Sequence, residues 1–232
     1  MKRILIPLLF GLMGAAVLVS LGVWQLQRLA WKQGVLDAIE ARIDSAPVMV
    51  PDMPVIDDRF LPVTVDGILQ APTLRVLVST RDQGAGYRLI NVLETASNGA
   101  DSGARRILVD RGYIKNDAPI PPLPMGVVTV TGNIHWPDER DSYTPENDVA
   151  GNIWFARDID PMAVALNAEP FLLIARDVTN DPQVTPLPVG TEGIPNDHLG
   201  YAIQWFGLAL VWTAMLGLYI WRVRKPVKGT DL

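Results

Sequence analysis

The side chains with the most chemical potential sit at the edge of an apolar run, in PNDHLGYAIQWF, residues 195–206. His198 is one of only two histidines in the chain. Read as helix from residue 198 onward, His198, Tyr201, Ala202, Trp205, Ala209 and Trp212 share one face by spacings of three and four. The first four span only about 10 Å of helix axis. A second stripe, Trp24, Arg28 and Trp31, occupies the comparable level of another apolar run near the N-terminus. A neutral imidazole beside aromatic rings, with Arg28 or Lys32 able to pair with propionates, is chemistry suited to a haem, His198 ligating the iron. The same residues also suit an interfacial belt, since Trp and Tyr gather at bilayer surfaces and Arg snorkels from helix ends. Gly11 with Ala15, and Gly207 with Ala214, offer small faces on which two helices can pack without any ligand. Spacing alone leaves both readings open.

Other chemistry is scarce. With no cysteine, disulfides and thiolate metal sites are excluded. There is no nucleophile elbow and no HExxH, and GAGYRL (84–89) lacks the third glycine of a dinucleotide fingerprint. It reads instead as a turn. The acid pairs Asp57 with Asp58, Asp138 with Glu139 and Asp158 with Asp160 lie in loops, where adjacent carboxylates are normally solvated. Met49 and Met53 are the only close methionines, which is thin material for a copper site. His135, in GNIHWP, reads as a loop histidine at a strand end.

The elements that must position these residues follow from charge and periodicity. Ile4 to Gln27 and His198 to Trp221 contain no Asp, Glu, Lys or Arg, and each run exceeds the roughly 20 apolar residues of a spanning helix. The first ends in WQLQR rather than at a small-residue cleavage site, so it reads as a retained anchor. Lys2 and Arg3 precede the first run, and Arg222, Arg224, Lys225 and Lys228 follow the second. The positive-inside bias then places both termini in the cytoplasm, with the second helix deciding, since Arg28 and Lys32 lie on the other side. Residues 28–200 carry 14 basic and 24 acidic side chains. So acidic an extracytoplasmic domain repels phosphate backbones and makes a nucleic-acid partner improbable.

After Trp24, Leu29, Leu36, Ile39 and Ile43 keep a helical stripe, extending the first helix as an amphipathic stalk. Pro47, Pro51, Pro54 and Pro62 then mark an extended linker. VTVDGIL, LRVLVST, YRLINVLE, RRILVDRGYI, VVTVTGNIHW, IWFARD and FLLIARD read as strands, with a rigid loop at 118–124. A short helix through MAVALNA starts at Asp160 as cap and Pro161 as first helical residue. The expected fold is a membrane protein in which two transmembrane helices flank a mainly antiparallel β (α+β) extracytoplasmic domain, its sheet curled or closed. The expected divisions are a first transmembrane helix at 1–27, stalk and linker at 28–62, and a β-rich domain at 63–180. A second linker at 181–197, a transmembrane helix at 198–221 and a basic tail at 222–232 complete the chain.

Nearly end to end, the chain resembles the surfeit locus protein 1 family of cytochrome c oxidase assembly factors. The resemblance is carried by GVWQLQRLAWK at the first membrane exit, GAGYRLINVLE and ILVDRGYIK in the sheet, PEND followed by IWFARDIDPMAVALNAEPF, and PNDHLGYAIQWFGLA entering the second helix. It departs at Asp110, where an asparagine is expected before RGY, a change whose reach looks limited to a local turn. The resemblance implies a membrane-anchored, non-enzymatic factor that binds haem a and assists its insertion into the catalytic subunit of a haem-copper oxidase. His198 matches the histidine proposed as haem ligand in the family's second-helix motif. Tyr201, Trp205, Trp24 and Arg28 are the expected surroundings, and haem a synthase and membrane lipid are expected further partners. The short N-terminus without a transit-like leader points to a bacterial inner-membrane protein with a periplasmic domain. A scaffold that stabilises assembly intermediates without binding haem is the alternative, and a tethered periplasmic enzyme a more distant one.

Overall fold

A computed structural model of the chain describes residues 2–96, 103–191 and 194–224, with side chains from residue 4. Most of the expected basic tail, 225–232, lies outside the described residues. The chain divides into two compact units, Met1–Ala38 with Thr191–Leu232, and Ile39–Gly190.

The first unit is helical. Helix α1 runs Lys2–Ile43 and helix α3 His198–Arg224, and both are long and apolar enough to cross a membrane. This is a membrane protein with a central α+β domain. α1 does not stop where charge begins at Arg28. Its more covered positions, Gly11, Leu18, Gln25 and Lys32, with Ala15, Gly22 and Leu29 between them, repeat every seven residues, the spacing of a helix-packing seam. Space at the seam comes from glycine. A Cβ on Gly11 would fall 2.5 Å from the Leu216 side chain, one on Gly14 2.9 Å from the Trp212 indole, and one on Gly22 2.7 Å from the Phe206 ring. Trp212 Nε1–H donates to the Gly11 carbonyl at 2.8 Å, satisfying a polar group that hydrocarbon would leave bare. On α3 the buried small residues are Ala202 and Ala209. Gly207 and Ala214, read as a packing face from sequence, are exposed. They lie on the opposite side of α3 because Trp212 and Leu216 set its rotation.

The second unit is a closed sheet. Strands β1 (Val48–Met49), β2 (Pro62–Thr80), β3 (Gly84–Thr95), β4 (Arg106–Lys115), β5 (Val128–His135) and β6 (Leu172–Val178) follow one another in the chain. Their order in the sheet is β1-β2-β3-β4-β6-β5, and β5 pairs back onto β2. Closure removes the exposed edges that an open sheet would have to protect. The two runs read as separate strands, VTVDGIL and LRVLVST, are one strand interrupted by a register shift between Gln70 and Leu74. Residues Pro62–Gly67 pair with β5, and Gly67–Thr80 pair with β3 on both sides of the shift. Asn91 Nδ2 holds the shift open, donating to Gln70 O at 3.0 Å and Thr73 Oγ1 at 2.8 Å.

The sheet is not purely antiparallel, because β4 pairs with β6 in parallel. The crossover that this requires contains β5 and α2 (Ile159–Leu166). Alternation along the strands divides two cores. Val63, Leu93, Ile107, Val109, Val130 and Leu173 line one face, while Ile90, Val92, Leu108, Leu172 and Ile174 lie on the other beneath α2. Ile159, Met162 and Leu166 of α2 recur at helical spacing against that face, each buried side chain contributing about 1.5–3 kcal/mol.

Two local expectations are corrected. IWFARD is not a strand: Ile153 and Trp154 make only isolated bridges, because the chain then turns over the sheet to deliver Arg157 to Asp110. The residue capping α2 is Asp158 rather than Asp160, and its carboxylate serves Arg140 and Asn147 instead of the helix backbone. The proline-marked segments also pack on the unit. β1 pairs with β2, and beyond the sheet Asp181 forms a buried ion pair with Arg111 while Thr185 exchanges backbone hydrogen bonds with Tyr113. Gly112 makes that exchange feasible. Its φ is +122°, and a Cβ there would lie 2.2 Å from the Thr185 carbonyl, so no other residue fits.

Candidate functional site

The seam of the helical unit brings His198 to Gln25. His198 Nδ1–H donates to Gln25 Oε1 at 2.8 Å. Gln25 is buried, and a buried amide in an apolar helix is costly unless hydrogen-bonded. The bond meets the amide oxygen, and in the neutral imidazole it selects the tautomer whose Nε2 is the acceptor nitrogen. An imidazole that donates one nitrogen to an oxygen and presents the other as a lone pair has the arrangement of a metal-ligating histidine. Among the described residues no three His, Cys, Asp or Glu side chains converge. Lys32 caps the seam by donating to the Pro195 carbonyl.

Of the other residues expected to surround His198, Trp205 is half-buried and Tyr201 is 51% exposed one turn along α3. Trp24 is 53% exposed, and Arg28 is exposed with its guanidinium carbon 4.0 Å from the Trp31 ring centroid. Trp24 and Arg28 flank Gln25 on α1, since the heptad face places Gln25 at the seam and its neighbours beside it. Sequence reasoning missed Gln25. The available signal was a polar residue three positions after Gly22 on the packing stripe.

His135 belongs elsewhere, to a charged cluster on the face of the sheet beneath α2. There Asp110 is fully buried, accepting from Arg88 at 2.7 Å, from Arg157 at 3.1 Å and from the Gly112 N–H at 3.1 Å. Arg157 also pairs with Glu139. The His135 ring stacks on Phe60 at a centroid distance of 5.2 Å. Burial, and then the charges of Arg59, Arg157 and Arg88, push its imidazole down to about 4. Burial works to raise the Glu139 carboxyl, but the hydrogen bonds and charge of Arg157 overcome it and hold it below the usual carboxylate range.

Both shifts act on stability in one direction. The unfolded chain protonates His135 near its ordinary value of 6.5, so between about 6.5 and 4 the unfolded state binds more protons and stability falls as pH is lowered. Below that window the Glu139 pairing is lost as the carboxyl protonates. Urea unfolding of the full chain at pH 7, 6 and 5 is expected to show a falling midpoint. Changing His135→Phe should remove about 1 kcal/mol of that pH dependence, a figure discounted for solvent screening at a half-buried site.

Comparison with known proteins agrees with this architecture. The SURF1 family model matches residues 12–210, which take in most of α1, the whole sheet and the first half of α3. A SURF1-like protein of Rickettsia prowazekii is 31% identical over 91% of this chain and 88% of its own length. Surfeit locus protein 1 of Homo sapiens is 27% identical over 91% of this chain and 74% of its own length, and the SURF1-like protein of Drosophila melanogaster 28% over 86% and 73%. With the match running from the first helix through the sheet into α3, the chain belongs to the SURF1 family.

Proposed function

We propose that this protein is a non-enzymatic, membrane-anchored assembly factor for haem-copper cytochrome c oxidase, which holds haem a at His198 for insertion into the oxidase catalytic subunit. The observation that carries this reading is the His198–Gln25 hydrogen bond, 2.8 Å long and made at a seam packed through glycine. Bound there, haem a supplies an iron that takes a nitrogen ligand and a macrocycle that packs against aromatic rings. His198 Nε2 would hold the iron, and Gln25 would keep the imidazole in its ligating tautomer and orientation. Tyr201 and Trp205 flank the ring on α3. Trp24, exposed beside Gln25, would supply a ring to the macrocycle edge, and Arg28, exposed beside it, would pair with a propionate. A partly buried histidine suits a carrier that must give its cargo up. Haem a synthase is the supplying partner in this scheme, and membrane lipid surrounds the hairpin.

The location proposed is a bacterial inner membrane, with both termini cytoplasmic and the β-domain periplasmic. It is supported by the basic residues flanking the two apolar runs, the acidic domain between them, and bacterial relatives matched over most of their length.

The test is an absorption spectrum with haem extraction on full-length protein purified in detergent from cells that make haem a. His198→Ala is expected to lose the haem band while retaining its circular dichroism. If neither protein carries haem, and both still co-purify with oxidase subunits, the scaffold role replaces the carrier role.

A further inference from the structure

The motifs PEND and IWFARDIDP play no part at the helix hairpin, yet they build a cavity of about 580 Å³ on the β unit. Glu146 and Asn147 come from the first motif, Trp154, Asp158 and Asp160 from the second, and Trp136 supplies an aromatic wall. The cavity is a formed structure. Asn147 Nδ2 donates to Asp158 at 2.6 Å while Asn147 Oδ1 accepts the Phe155 N–H at 2.9 Å. Arg140 clamps Asp158 at 2.6 Å and donates to the Pro145 carbonyl at 3.2 Å.

Two features of this lining are left unanswered within the chain. The first is a donor. Trp154 is only 1% exposed, and its Nε1–H is buried with no hydrogen-bond partner, a state that costs free energy until an acceptor arrives. The second is charge. Arg140 neutralises Asp158, but Asp160 is exposed and the Glu146 carboxylate is 98% exposed, 3.7 Å from Arg140 at its nearest. The lining therefore offers an aromatic wall, a surplus of carboxylate and one unpaired N–H donor. A basic side chain uses the wall for its stem and the carboxylates for its head, and a peptide carbonyl beside it answers the indole.

We propose that this cavity is a docking site for a short basic segment of a partner polypeptide, gripped by Asp160 and Glu146 at the rim and by Trp154 within. This assignment is independent of haem binding. Its chemistry matches the domain as a whole, where 24 acidic side chains face 14 basic ones across residues 28–200.

The experiment is an NMR titration of the full-length protein in detergent micelles. The probe is the pentapeptide Gly-Lys-Leu-Lys-Gly, blocked at both ends, with its Glu-for-Lys counterpart as control. The expected result is a saturable shift of the Trp154 indole N–H resonance with the basic peptide, weakened by added salt, and none with the acidic one. Changing Asp160→Asn and Glu146→Gln together should weaken binding about fivefold or more; both side chains are exposed, so folding is not at issue. Trp154→Phe, read at the Trp136 indole, should weaken it about threefold or more. A Trp154 resonance that does not move, shifts that never saturate, or equal affinity for the acidic peptide or in the double variant would overturn the assignment.

Discussion

Asp110→Ala should destabilise the β unit by about 3–5 kcal/mol, the usual cost of removing one partner from a buried ion pair. The carboxylate is fully buried and serves two guanidiniums and a backbone N–H at once. Its loss leaves Arg88 and Arg157 facing each other without a counter-charge on the face of the sheet beneath α2. Arg88 keeps its hydrogen bond to the Leu187 carbonyl and Arg157 its pairing with Glu139, and those contacts bound the damage. Thermal unfolding of the full chain should fall on the order of 10 °C. Asp110→Asn should fall less, because an amide oxygen still accepts from Gly112 and from one arginine. Equal stability of Asp110→Ala and wild type would mean that the two arginines find other partners. The family pattern leads one to expect asparagine at this position, and a change confined to a turn would be mild. The structure corrects that expectation, since Asp110 ties β4 to β3 and to the crossover segment.

Gly22→Leu should separate the helices and empty the proposed haem site without changing any residue that would touch haem. A single Cβ at residue 22 already falls 2.7 Å from the Phe206 ring, and leucine adds three further carbons. The Phe206 ring must shift, and the seam is expected to open, taking with it the His198–Gln25 hydrogen bond three residues along α1. Losing the group that orients a ligating histidine typically costs 10- to 100-fold in affinity. Haem content per polypeptide in purified Gly22→Leu should therefore drop by about that factor, while Gly207→Leu, on the exposed side of α3 with open space around it, leaves it unaltered. Equal loss in both variants would point to general disruption of the membrane helices.

These outcomes turn on features of differing legibility. The two helices were readable because 24-residue stretches without charge have few other uses. The strands were readable because β-branched alternation and turn residues punctuate them, and closure of the sheet was a fair expectation from their spacing. The parallel pairing of β4 with β6 was not readable. Partner choice depends on which faces meet across some 60 residues of intervening chain, and local pattern carries no record of that. IWFARD looked like a strand because its composition is strand-like, but only Ile153 and Trp154 find backbone partners. His198 stood out as a lone imidazole at a membrane edge. Its partner Gln25 did not, because aromatic and charged neighbours drew the stripe through Trp24 and Arg28. The heptad Gly11, Leu18, Gln25, Lys32 was present in the text and would have put the amide at the seam. Asp110 also left a trace, as a lone acid inside ILVDRGYI where both neighbouring stretches alternate into a core.

The carrier role rests on His198 Nε2 as the iron ligand, and chemical rescue tests it most directly. His198→Gly is purified from haem a-producing cells, and its absorption spectrum is recorded with and without added imidazole. The expected result is loss of the wild-type haem a band in the variant and its return when free imidazole occupies the space left by the side chain. A variant that keeps the wild-type spectrum without imidazole would contradict ligation by His198 and remove the basis for the carrier role.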